Sequence, residues 1–325
     1  MATNSAAAHD QYIISSSLPT LRLDLLRAGD NAESKKLLDA CRTYGFFYLD
    51  LTSDSTLCQY WEKILAVMKQ YFEQPLEVKI QDAHGSDNTG YEPIGNEVGP
   101  NPATRDGYES LKVSRREFLK NEVELSTSIR DRSDTIFRFI REAHGITMMM
   151  LERLSNEMDL EASARFESFH ADTRPTLSTL AFLRYPKHDG CAPDNVGHNM
   201  HTDIGSLTFL LTQQWGLQIL SPGSDRWEFV KPRLKHAVIN VGDSLHFPSG
   251  GQFASVVHRV IPFEGKQQED RYSIAYLMRV NDDVRWSDRS GKVWSAKEWH
   301  DFKFDAFRTS DTMENGIQVV TGMRA

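Results

Sequence analysis

The sequence has few cysteines, no long apolar run and no excess of positive charge, and each lack removes a class of function. Its three cysteines, Cys41, Cys58 and Cys191, are too few and too scattered for a disulfide framework or a thiolate metal site, and they suit a reducing cytosol. No window approaches the roughly 18 consecutive apolar residues that a membrane-spanning helix requires, so no membrane role is expected. Met1 to Asp10 is small and polar, without a basic segment leading into an apolar run, which argues against a secretory leader and for a cytoplasmic protein. The formal net charge of -8 is not gathered into a tail and offers no footprint for nucleic acid. The expected partner is a small molecule, and the expected assembly a monomer or weak dimer.

What is present is enough chain for a closed site and two kinds of pattern. A length of 325 residues can bury a sizeable core. The first half reads as helices with short strands. Leu18 to Leu23 alternates like a strand, Asn31 to Tyr44 is helical, Gly45 to Leu49 is an apolar β run, and Ser55 to Phe72 is a helix stopped before Pro75. Ala83 to Asp106 is rich in Gly, Asn and Pro and reads as loop, with Asn88 and Tyr91 inside it; long loops in compact domains are often functional. Arg130 to Leu160 is strongly helical, and its methionines are read as core filler.

From Thr176 the pattern changes to short β runs with turns between them. The expected strands are 177–185, 197–202, 207–211, 217–220, 227–230, 237–241, 244–247, 255–260 and 272–278. Such a series suits a double-sheet jelly roll. The tail is helical again from Ala296 to about Phe307, with Trp299, Phe302 and Phe307 on one apolar face.

One constellation within the β half carries chemistry. His201 and Asp203 stand two positions apart, which on a strand puts an imidazole and a carboxylate on the same side. His258 follows inside Val256-Val257-His258-Arg259-Val260, whose apolar neighbours would bury it. Two histidines and a carboxylate on one face of an octahedron suit non-haem iron(II) with open positions, although zinc accepts the same ligands. Arg271 and Ser273 repeat the two-residue step on the last strand, and a guanidinium fork beside a hydroxyl suits a carboxylate.

Together these residues resemble the iron(II)- and 2-oxoglutarate-dependent dioxygenase superfamily, in the branch that includes isopenicillin N synthase and the plant flavonoid and hormone dioxygenases. The likeness extends through His201-Thr202-Asp203, Leu207-Thr208-Phe209-Leu210-Leu211, Gly216-Leu217-Gln218-Ile219-Leu220, Asn240-Val241-Gly242-Asp243, His258-Arg259-Val260 and Arg271-Tyr272-Ser273-Ile274-Ala275. Ala40-Cys41 leading to Gly45-Phe46-Phe47 agrees as well. The pattern looks more like a fungal or microbial member serving secondary metabolism than a plant one.

The resemblance implies a mainly β fold with flanking helices, a distorted double-stranded β-helix of jelly-roll, cupin-like form. It divides one integrated domain into an N-terminal region (15–125), supporting helices (126–175), the catalytic jelly roll (176–285) and a C-terminal helical lid (286–325). It implies His201, Asp203 and His258 as iron ligands and as the catalytic set, with Arg271, Ser273 and Tyr185 holding 2-oxoglutarate. Iron(II) is the cofactor, O2 the second co-substrate and ascorbate a possible support. The formal charges of iron(II), Asp203, a dicarboxylate and Arg271 cancel, which a buried site requires.

Leu183 replaces the asparagine that relatives place before their Tyr-Pro, and isopenicillin N synthase also has an apolar residue there. An iron oxidase that does without 2-oxoglutarate is therefore one alternative, and a non-catalytic jelly-roll binding protein is another. The expected reaction on a small, partly apolar natural product is hydroxylation, or else desaturation, ring closure or ring expansion, coupled to decarboxylation of 2-oxoglutarate to succinate and carbon dioxide. Substrate contacts are expected from Tyr91, Asn88, Arg184, His246, Phe247, Phe302 and Phe307. The 83–106 loop and the C-terminal helix are the expected lids.

Overall fold

The computed structural model describes residues 16–85, 88–97, 105–188, 197–224, 226–288 and 290–308. Twelve strands build the core, in chain order β1 (Thr20–Arg22), β2 (Phe46–Asp50), β3 (Gly90–Glu92), β4 (Glu109–Ser114), β5 (Thr179–Tyr185), β6 (His198–His201), β7 (Leu207–Thr212), β8 (Leu217–Leu220), β9 (Trp227–Phe229), β10 (His236–Val241), β11 (His258–Val260) and β12 (Arg271–Met278). Eight form the major sheet in the order β1-β2-β10-β7-β12-β5-β4-β3, and four the minor sheet in the order β6-β11-β8-β9. Every pairing among them is antiparallel except β1 with β2. One cavity is lined from both sheets, as expected of a jelly roll. The chain is mainly β with flanking helices.

Helices cover the outer face of the major sheet because their apolar residues recur at helical spacing. Asp30 caps the helix Asn31–Thr43 by accepting from Glu33 N, and Asp54 caps Ser55–Phe72 by accepting from Leu57 N; losing either cap would cost about 1 kcal/mol. The long helix Ser133–Glu157 buries Phe139, Ile140, Ala143 and Met150, and its Phe139 meets Phe209 of β7 edge to face at 6.4 Å. Alternation divides β12 between the two sides. Ile274 and Tyr276 join the helix-covered core, while Arg271, Ser273, Ala275 and Leu277 line the cavity.

The expected elements and the observed ones differ in instructive places. The segment read as a strand over 244–247 is the helical turn Asp243–His246, too short for periodicity to separate the two states. The 83–106 region is not wholly loop, since β3 within it pairs with β4. Residues 86–87 and 98–104 of that proposed lid lie outside the described residues, as do Cys191 and the tail beyond 308. In strand β4, Leu111 and Val113 face the helix-covered core while Lys112 faces the cavity, an apolar–polar alternation only two periods long. The N-terminal region thus supplies four of the eight major strands, β1 to β4.

Candidate active site

His201 and His258 sit directly opposite each other on β6 and β11, which brings their ring centroids to 4.3 Å. Asp203 follows at the exit of β6, with its Oδ1 3.5 Å from Nε2 of each histidine. All three offer ligand atoms within 4.8 Å of one another, and all are buried. A glycine lets two backbone segments approach closely here. A Cβ on Gly242 would lie 2.2 Å from Gly205 O and 2.8 Å from Asp203 O, closer than real side chains approach, so the Asp203 loop and the end of β10 can meet only through glycine.

Each ligand atom is aimed by a second bond. Asn199 O accepts from His201 Nδ1 at 2.8 Å and Val256 O from His258 Nδ1 at 3.1 Å. A carbonyl only accepts, so both Nδ1 atoms carry the proton and both Nε2 lone pairs face inward. Burial, and then His201, push His258 down to about 4, which keeps it a neutral donor. Asp203 Oδ2 accepts from Thr208 Oγ1 and, at 2.7 Å, from Asn240 Nδ2, leaving Oδ1 for a metal. Burial opposes the charge on Asp203, but His258, His201 and Thr208 outweigh it and hold the carboxyl well below its ordinary range. This donor set fits a divalent ion with an open face.

In the same cavity Arg271 pairs across to Tyr185 and Ser273 to Leu183. Arg271 is 2 % exposed. Its Nε donates to Trp215 O at 3.0 Å and its Nη1 to Ser273 Oγ at 2.8 Å, and the Tyr185 ring lies 4.8 Å from Cζ. Nη2 is buried without a hydrogen-bond partner. An orphaned guanidinium nitrogen costs free energy in an apolar wall, and a carboxylate would satisfy it.

Known proteins agree with this geometry. Residues 177–280 match the 2OG-Fe(II) oxygenase superfamily, and residues 18–132 match the N-terminal region of the non-haem dioxygenases described from morphine synthesis. The 2-oxoglutarate-dependent dioxygenase frbH of Dothideomycetidae sp. (strain 11243) is 47% identical over 305 residues, covering 94% of this chain and 95% of that protein. The chain belongs to the iron(II)- and 2-oxoglutarate-dependent dioxygenases. The dioxygenase gloE of Glarea lozoyensis is 44% identical over 95% of this chain and 93% of its own length. A solved 2OG-Fe(II) oxygenase family protein from Caulobacter crescentus shares the fold with a TM-score of 0.75 at 22% identity, over 90% of this chain and 99% of that one.

Beyond the triad and the Arg271–Ser273 pair, this dioxygenase places the expected substrate residues unevenly. Phe307 lines the cavity, its ring 6.0 Å from that of His201. The other six do not. Arg184 points to the opposite face of β5, as alternation demands, where it bridges Glu109 and Asp270. Tyr91 also faces away and donates to Glu109. His246 sits in the helical turn bonded to Phe253 O at 2.6 Å. Phe247 packs on Trp286 and Trp299, and Phe302 on Trp294. Asn88 is not among the cavity-lining residues, and Arg279 Nη1 donates to its Oδ1.

Sequence reasoning missed several residues. Glu97, Tyr108, Lys112, His198, Arg279 and Phe304 line the cavity, and Tyr108, His198 and His201 form a stack with centroids 4.5 and 4.3 Å apart. Tyr108, Glu97 and Lys112 come from the N-terminal region, where no local motif marks them. Phe304 and Phe307 stand one helical turn apart, a signal that attention to Trp299 and Phe302 obscured. Asn240 belongs to the noted Asn240-Val241-Gly242-Asp243 motif. Replacing Asn240 with alanine should weaken iron(II) affinity about 10- to 100-fold, the range for ligand-orienting partners, read from iron dependence of succinate formation.

The C-terminal helix Ala296–Arg308 is more than a removable lid. Lys303 is fully buried, and its Nζ bonds Thr202 O at 2.7 Å, Thr202 Oγ1 at 2.8 Å and Asp243 Oδ2 at 2.7 Å, so the helix is keyed between the two metal-facing residues of the 201–203 turn. Trp299 Nε1 donates to the same Asp243 carboxylate at 3.1 Å. Lys303→Met should destabilise the fold by about 3–5 kcal/mol, because Asp243 is left as an unpaired buried charge. A urea midpoint unchanged from that of the parent protein would contradict this.

Proposed function

We propose that the dioxygenase hydroxylates a small-molecule substrate, with His201, Asp203 and His258 as its iron ligands and Arg271 and Ser273 as the clamp on the distal carboxylate of 2-oxoglutarate. The observation that carries this reading is the unpartnered, buried Arg271 Nη2 in the same cavity as the inward-facing triad. Bound iron(II) would supply the site where oxygen is activated as 2-oxoglutarate decarboxylates to succinate. The chain's own residues bind, orient and dry. Tyr185 covers the guanidinium face and Ser273 fixes one of its nitrogens, so the clamp is preorganised. Phe304 and Phe307 wall the other side and exclude water from the reacting C–H bond.

Anaerobic titration of the iron-loaded protein with 2-oxoglutarate tests this. A weak visible band near roughly 500 nm is expected from bidentate chelation at an open facial site, and oxygen should then release succinate. A protein that consumes oxygen with its substrate but forms no succinate would be an oxidase instead.

A further inference from the structure

The cavity has a second charged end for which the co-substrate has no use. Arg271, the first residue of β12, and Arg279, the residue just past its end, both line the cavity; at about 3.4 Å per residue their backbones stand roughly 27 Å apart. Between them the floor is flat, because Ala275 pairs with Ala181 and Ala181 pairs with Lys112. The next side chain across the sheet after the two alanines is therefore a cation. Lys112 and Arg279 are 8% and 7% exposed, and both lie against the Phe304 ring, at 5.2 and 5.9 Å from its centroid.

Both cations are held in place. Leu177 O and Asn88 Oδ1 accept from Arg279 Nη1, which fixes the plane of the guanidinium. Lys112 pairs with Glu92 at 2.6 Å. The geometry of these two cations is that of an anion site, because a fixed fork beside an ammonium suits a carboxylate. Glu97 lines the same cavity 3.9 Å from His198 Nε2; burial pushes its carboxyl up, while Lys112 is near enough for the ammonium to favour the charged form. A substrate carboxylate would add a charge-assisted bond to both cations, which a wholly apolar substrate cannot do.

We propose that this end binds a carboxylate of the substrate, so that the enzyme acts on a small carboxylic acid held by Arg279 and Lys112, its carbon chain lying over Ala181 and Ala275 toward the triad. The inference rests on the reading of the site as an iron and 2-oxoglutarate centre. Two sources share this chemistry, free amino acids and acids without an amino group, and Glu97 would face an amino group of the first.

The test uses the full chain loaded with iron(II) and 2-oxoglutarate. Free L-amino acids and short monocarboxylic acids are each paired with their carboxamides, and succinate release above the substrate-free rate is measured. At least one acid should act with a KM roughly ten- to a hundredfold below that of its amide, the size expected of charge-assisted hydrogen bonds. Arg279→Gln and Lys112→Gln should each erode that preference, and Arg279→Lys should keep part of it. The dissociation constant of 2-oxoglutarate, measured on each variant, shows whether the site has survived. Acids and amides that act alike, or not at all, would overturn the proposal, as would an Arg279→Gln protein whose 2-oxoglutarate affinity falls as far as its preference for acids. If wild-type protein shows no 2-oxoglutarate-dependent band and no succinate, the underlying reading of the site fails, and the inference with it.

Discussion

Asp203→Ala should reduce turnover at least roughly a thousandfold, since loss of a ligand must exceed the 10- to 100-fold cost of losing a ligand's orienting partner. Asp203→Asn should be nearly as inactive, although it is almost the same shape. Thr208 and Asn240 both donate to Oδ2, so an amide at this position must place its own oxygen there. Its NH2 group then takes the place of Oδ1 and turns two hydrogens toward the ion, where no lone pair is available. Both effects are read as iron content after desalting and as succinate release with saturating 2-oxoglutarate. An asparagine variant retaining a tenth of the activity would remove Asp203 from the metal site.

Arg271→Ala should raise the dissociation constant of 2-oxoglutarate by about 30- to several-thousandfold, corresponding to the 2–5 kcal/mol lost when one member of a buried charge pair is truncated. Lysine should not restore it. Three guanidinium nitrogens have separate positions here: Nε bonds Trp215 O, Nη1 bonds Ser273 Oγ, and Nη2 faces the cavity without a protein partner. A single ammonium cannot occupy all three. The site is also shaped for arginine, since a Cβ on Gly216 would come within 2.9 Å of Nε. Titrating 2-oxoglutarate anaerobically against the visible band measures the change, and an alanine variant with parental affinity would show that the carboxylate is held elsewhere.

A site residue of this protein is legible in the sequence when its partners are near it in the chain. His201 and Asp203 were legible because a two-residue step on a strand puts both side chains on one side, and Arg271 and Ser273 for the same reason. The same alternation turns Arg184 away from the cavity, against its expected place among the substrate contacts. It could not reveal that Arg184 would hold Glu109 and Asp270 there, since those partners come from other elements. His246 and Phe247 were misplaced because four residues are too few to tell a strand from a helical turn.

Lys303 shows the limit most clearly. Its sequence neighbours give it the look of a solvated helix lysine, yet it is fully buried and holds the backbone between His201 and Asp203. The substrate end was equally hidden. Lys112 reaches the cavity only because β4 pairs with β5, and Arg279 because β12 runs the full length of the pocket.

By itself, then, the chain's sequence determined the jelly-roll class, the metal triad and the shared face of Arg271 and Ser273, because each depends on periodicity and on short fixed spacings that the backbone imposes locally. Only the tertiary structure decided which side chains wall the substrate space and which cations stand in it. Those residues are brought together by strand pairing and helix packing across long sequence separations, and no local spacing encodes such contacts.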